Sequence, residues 1–137
     1  MADECNFCEI AGGERPAHVL YEDEQTIAFL DHQPAVRGHS LIVPKTHEVG
    51  VLTAAGETGL AVFETVQTVA RALESTLEAD GFSVFHTTGP LVGTIDHAHV
   101  HLVPRFTDDE VSLSLPRRGL DDDRAATLAE EVREKTD

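Results

Sequence analysis

Short runs of alternating apolar and polar residues, one long run with helical spacing and a second near the end predict a mixed domain of sheet and helix. Three observations carry that reading. His97, His99 and His101 alternate with Ala98, Val100 and Leu102 within 96–105, as on a strand, where side chains change face at every residue. Leu60, Phe63, Val66, Ala70, Leu73 and Leu77 recur with the 3.6-residue period of an amphipathic helix over about 57–79. The runs 18–21 and 26–30 flank the acidic turn Glu22-Asp23-Glu24 and read as a hairpin.

The remaining elements follow from punctuation. Pro34 and Gly38 break the chain before a strand at 39–43, which Pro44 stops, so Asp31 and His39 flank one loop. Gly81 ends the long helix, a strand starts at 82–86, and 87–94 is a loop leading into the histidine strand. Beyond Arg105, 111–115 alternates like a further strand. The stretch 122–135 fits a last helix with Ala125, Leu128, Ala129 and Val132 on one face and Asp121, Asp122 and Asp123 at its positive end.

The 137 residues form one expected domain, 1–137, large enough to bury a core. No apolar run approaches the ~20 residues that cross a bilayer, and the first residues lack a basic and then apolar leader, so a soluble, cytoplasmic protein is expected. Twenty-five acidic residues against ten Lys and Arg give a formal charge of −15, which argues against nucleic acid or an anionic membrane as partner.

Three imidazoles on one strand face would stand roughly 6.6 Å apart and make a site. A strand face that merely happens to be rich in His leaves the alternation unexplained. Cys5 and Cys8 offer half of a tetrahedral thiolate and imidazole site, and His47 and His97 are candidates to complete it around a structural Zn²⁺. A redox dithiol and a pair of inert thiols are the other readings of the cysteines. With His97 on a metal, His99 and His101 remain for a substrate. An imidazole can attack phosphorus and split one hard displacement into two easier ones, with His101, His39 and Thr94 as donors to the phosphate oxygens. For this, His99 needs one bare ring nitrogen, so its other N–H must be held by an acceptor.

The pattern His97-Ala98-His99-Val100-His101-Leu102-Val103 resembles the signature of the histidine triad family of nucleotide hydrolases and transferases. Phe7-Cys8-Glu9-Ile10, Ala28-Phe29-Leu30-Asp31, the segment 38–45 and Val103-Pro104-Arg105 resemble its other segments in order and spacing. The resemblance implies an α+β fold, a mainly antiparallel sheet with one long helix and a C-terminal helix, paired into a homodimer. It implies His99 as nucleophile, His101 and His39 as phosphate ligands, and Asp31 on the ribose of a purine nucleotide or nucleotide conjugate. Phe7, Ile10, Phe29 and His32 would line the nucleoside pocket, with Thr87, Gly93 and Thr94 in the phosphate loop. Cys5, Cys8, His47 and His97 correspond to the ligands of the zinc-containing branch. The loop departs from the family pattern: Thr87 stands where Asn is usual, no Gln follows Gly93, and one residue is missing.

The implied activity is hydrolysis at the α-phosphate of a nucleoside phosphoramidate or dinucleoside polyphosphate. A nucleotide-binding, zinc-stabilised interaction protein with little turnover and a nucleotide transferase are the alternatives. Lysine occurs only at Lys45 and Lys135, and so acidic a surface resembles proteins of salt-loving cells, where molar salt shortens the Debye length to about 3 Å. The melting temperature should therefore climb between dilute and molar KCl. A melting curve indifferent to salt would exclude a halophilic adaptation.

Overall fold

The computed structural model describes residues 5–54, 56–88 and 97–136. The chain runs α1 (Asn6–Ala11), β1 (Val19–Glu22), β2 (Thr26–Leu30), β3 (Ser40–Pro44), α2 (Thr58–Leu77), β4 (Gly81–Phe85), β5 (Val100–Arg105) and α3 (Asp122–Arg133). All strand pairs are antiparallel, in the order β1-β2-β3-β5-β4. The fold is α+β, as the sequence predicts.

Alternation along the strands divides the sheet into two faces. On one, Ala28, Ile42, Val100 and Leu102 pack against Val62, Val66, Val69 and Leu73 of α2. Each Val, Leu or Ile among them, fully buried, contributes about 1.5–3 kcal/mol. The interface also holds a polar contact, the buried 2.6 Å hydrogen bond between the Thr26 and Thr65 hydroxyls. On the other face Ile27, Phe29, Leu41 and Val43 pack with Phe7 of α1. Phe29 pairs with Leu41, Leu41 with His101 and His101 with Phe85, so one row across the sheet passes through the last histidine of the triad to Phe85.

The helix stripe is rotated from the expected one. Val66 and Leu73 are buried, but Leu60 is 71% and Phe63 52% exposed. Positions 62, 66, 69 and 73 satisfy the same period, and that stripe carries the side of the helix on which Thr65 meets the sheet. The ladder of β5 begins only at Val100, so His97 and His99 precede it, yet the alternation holds: Ala98, Val100 and Leu102 lie in the helix-side cluster.

Two further differences concern the ends of the chain. The expected strand 111–115 is absent from the sheet; Asp109 takes the Val111 amide and Arg105 the Val111 carbonyl, so side chains do the work of a ladder. Residues 6–11 form α1, whose N-cap is Cys5 through a 3.2 Å bond from the Cys8 amide to its Sγ. Pro44 closes β3 as its last residue, paired with Thr26, and does not stop the strand before it. Gly38 has φ +92°, and a Cβ there would sit 2.7 Å from Leu77 Cδ1 and 3.0 Å from Pro104 Cγ. A glycine therefore lets the loop before β3 pass under the end of α2 and deliver His39 to the site. Among the described residues no helix is long and apolar enough to cross a membrane.

Candidate active site and metal centre

The triad's rings stand on the sheet face opposite α2. Phe7 packs edge-on to both His97 and His99, at centroid distances of 5.9 and 5.2 Å. His99 in turn meets His101 at 5.3 Å. Each ring has its proton placed by a neighbour. His97 Nε2 lies 2.7 Å from the Pro44 carbonyl and donates to it, which turns the bare Nδ1 toward the cysteines. His99 Nδ1 lies 2.9 Å from the His97 carbonyl and donates to it, which leaves a lone pair on Nε2. The acceptor that the sequence argument requires is thus the main chain of the neighbouring histidine.

His97 Nδ1 lies 3.3 Å from Cys5 Sγ and 3.4 Å from Cys8 Sγ, and His47 Nδ1 lies 3.2 Å from Cys8 Sγ. A tetrahedral zinc with ordinary Zn–S and Zn–N bonds sets its sulfur and nitrogen corners about 3.5 Å apart. The four donors fit that spacing, all within 4.8 Å of one another. Burial pushes the Cys8 thiol up to about 11, with Cys5 beside it adding to the shift. A cation between the sulfurs would reverse this by stabilising thiolate.

Asp31, His39 and His101 form a second cluster, and here the protons argue against a metal. The Ala35 amide donates to His39 Nδ1 at 2.9 Å, so Nε2 carries the proton and has no lone pair to give. That N–H faces His101 Nδ1 at 3.0 Å and Asp31 Oδ2 at 3.4 Å. The cluster is a hydrogen-bond relay: His101 accepts on Nδ1 and, when neutral, keeps a donor on Nε2. Phe85 stacks on the His101 ring at 4.4 Å with planes 12° apart. Beside this stack, a cavity of about 450 Å³ is bounded by His39, Phe85, Val103 and the segment 109–113.

The other expected site residues divide by location. Phe7, Phe29 and Ile10 share the apolar cluster beneath the triad. The Asp31 carboxylate is held by the Gln33 amide at 2.9 Å. His32 is 90% exposed, with its ring 3.9 Å from Asp31, and Thr87 is exposed just beyond β4. Gly93 and Thr94 lie outside the described residues. Two features escaped the sequence reading. His86 Nδ1 lies 2.8 Å from the His99 carbonyl. Arg105 chelates Asp109, Nε to Oδ2 at 2.7 Å, and with the Phe106 and Val111 amides holds its carboxyl well below the usual range.

A family model described as the HIT domain matches residues 12–108. The chain belongs to the HIT-domain family. This HIT protein is 33% identical over 130 residues to the adenylylsulfatase of Arabidopsis thaliana, covering 93% of this chain and 66% of that protein. It is 30% identical over 138 residues to the adenosine 5′-monophosphoramidase of Candida albicans, covering 96% and 90%. Among solved structures, a Streptococcus mutans protein superposes with a TM-score of 0.91 at 35% identity, covering 98% of this chain and 87% of that one. A Zn-bound histidine triad family protein from Mycobacterium smegmatis superposes with a TM-score of 0.76 at 35% identity, covering 98% and 99%.

Burial, chiefly, with the neighbouring His99 and His39 and against the opposing Asp31, lowers the His101 pKa to about 4. The unfolded chain therefore takes up this proton first, near pH 6.5, and the folded ring only near 4. This part of the stability is complete above about pH 6.5 and declines as pH falls toward about 4. Urea titrations at pH 7, 5.5 and 4.5 should show a steeper loss for the wild type than for His101→Gln. Parallel losses would contradict the assignment.

Proposed function

We propose that this HIT protein is a nucleotide hydrolase that works through a nucleotidyl intermediate on His99. The observation that carries the proposal is the 2.9 Å bond from His99 Nδ1 to the His97 carbonyl, which leaves the lone pair of the half-buried ring on Nε2. Nε2 attacks the α-phosphorus of a nucleotide conjugate, a P–N bond forms, and the bond to the leaving group breaks. A leaving phosphate or sulfate departs with the electron pair as its anion, and a leaving amine departs with the pair and takes a proton from water. Water then attacks the same phosphorus and gives one proton to solvent, the P–N bond breaks with its electron pair going to Nε2, and the imidazole returns neutral with Nδ1–H intact.

His101, with its remaining N–H on Nε2, serves as donor to the oxygens on which negative charge builds, and the His39 relay holds it in that tautomer. Thr94 is proposed as a further donor to these oxygens. Asp31 receives the ribose hydroxyls, Phe7, Ile10, Phe29 and His32 border the nucleoside, and Thr87 and Gly93 belong to the phosphate loop. The substrate class is a purine nucleoside phosphoramidate, a dinucleoside polyphosphate or a related conjugate. Support comes from relatives named for adenosine 5′-monophosphoramidase and adenylylsulfatase activity. The proposal extends to a cytoplasmic homodimer; β4, at the end of the sheet, offers the edge for a second copy.

Cys5, Cys8, His47 and His97 are the residues that would hold Zn²⁺. The ion would be structural: held by four protein ligands, it would neutralise the thiolates and tie α1 to the triad. Its presence in the Mycobacterium smegmatis relative supports this assignment.

Incubation with an adenosine phosphoramidate and with a diadenosine polyphosphate tests the chemistry. Wild type should release AMP from at least one of them, and His99→Asn should be slower by roughly 10³-fold or more. Equal release from a variant with an unchanged melting temperature would remove the enzymatic reading. Elemental analysis tests the metal: about one zinc per chain is expected for the wild type, and much less for Cys8→Ser, with a lower melting temperature. Zinc absent from both proteins would reject the structural site.

A further inference from the structure

The triad's first two histidines precede the ladder of β5, which begins at Val100. The main chain on which the proposed nucleophile stands is therefore held by other means. The Ala98 amide donates to the Glu48 carbonyl, and the His97 carbonyl accepts the His99 ring proton. A third bond comes from His86. Val84 pairs with Leu102 and Phe85 with His101, so by alternation His86 follows Val84 to the helix side of the sheet and works from beneath the site.

The protonation of His86 is set from its far side. The Val51 amide donates to His86 Nε2 at 3.2 Å, so the ring's proton sits on Nδ1, 2.8 Å from the His99 carbonyl. One imidazole thus joins the loop before α2 to the nucleophile's own peptide. The loop comes close at Gly50, where a Cβ would lie 3.1 Å from Thr88 Oγ1 and 3.9 Å from His86 Nε2. The same loop supplies His47 to the metal centre and Glu48 to Ala98.

We propose that His86 is a positioning residue for His99: by donating to its carbonyl, His86 fixes the peptide from which the His99 ring reaches the His97 carbonyl. This rests on the reading of His99 as nucleophile. Without the clamp the peptide plane can turn, the Nδ1–H bond of His99 loosens, and the share of rings presenting a bare Nε2 to phosphorus falls. Misplacement of a reacting atom by an ångström is worth about 10²-fold in rate.

Three variants separate positioning from bulk stability. In His86→Asn the amide N–H takes the place of Nδ1 and keeps the bond to His99 but loses that to Val51. In His86→Gln the position of Nε2 is kept and the bond to His99 is lost; His86→Ala loses both. Single-turnover nucleotidyl transfer from an adenosine phosphoramidate should fall roughly 10–100-fold in the Gln and Ala variants, with KM within about threefold, and should stay within about fivefold in Asn. A structural role alone would make the Asn and Gln rates fall together, in step with their melting temperatures, and that result overturns the proposal. Long-range ¹H–¹⁵N correlation on the His99 ring gives a readout independent of turnover. The Nδ1–H tautomer should persist in the wild type and His86→Asn and become mixed in the other two; a uniform tautomer in all four also overturns it. Absence of AMP release from the wild type would defeat the nucleophile reading, while the tautomer measurement would still decide whether His86 orders the His99 ring.

Discussion

The hydrogen bond between the His99 ring and the His97 carbonyl is the constraint on which the site depends. A neutral imidazole has one proton for two nitrogens, and the acceptor at 2.9 Å claims it for Nδ1. Such a bond contributes only about 1 kcal/mol to net stability, but it decides which ring nitrogen keeps the lone pair. Its strength as a device comes from His97, which is used at both ends. The His97 side chain is held between the Pro44 carbonyl and the two sulfurs, so the carbonyl receiving the His99 proton belongs to one of the most immobilised residues of the site.

The rest of the architecture brings remote segments to the two residues that make this bond: Cys5, Cys8 and Pro44 to the His97 ring and His86 to the His99 carbonyl. The helix-side face of the sheet is closed by α2, whereas among the described residues the opposite face is flanked by the short α1 and, across a cavity, by the segment 109–113. That asymmetry leaves the rings of His99 and His101 half-buried rather than sealed. Burial is graded along the strand, from fully buried His97 at the metal centre to half-buried His99 and His101. The gradient suits the proposed division between a metal-holding first histidine and two that meet substrate.

Much of this was legible because a strand writes its two faces into alternate letters. Three histidines and three apolar residues in strict alternation specify a row of rings over a core whether or not the ladder reaches all of them. The cysteine pair was legible by donor chemistry. What escaped detection depends on contacts remote in sequence or on degenerate patterns. Nothing in the letters around His86 tells that a loop some 35 residues earlier returns to set its tautomer. Residues 6–11 are too few for helical periodicity, and their cap is a cysteine rather than one of the usual capping residues. Two stripes of α2 obey the same spacing, and only the sheet decides between them. The alternation in 111–115 resembles that of a strand, but a neighbouring Arg105 and Asp109 claim the Val111 backbone first.

The hydroxyl pair Thr26–Thr65 carries one more implication. Apolar packing between a helix and a sheet is forgiving of small slides and rotations, since methyl groups have no preferred direction. A buried 2.6 Å bond does have one, and it acts like a dowel pin through two planks. It fixes the rotation of the long helix, which is why the chain can leave Leu60 and Phe63 facing outward without the helix rolling to hide them. Loss of the Thr26 hydroxyl would strand that of Thr65 in a dry interface, whereas Thr26 itself keeps a second, longer bond to Asp23 Oδ1 at 3.4 Å, so the two positions are not equally free to drift.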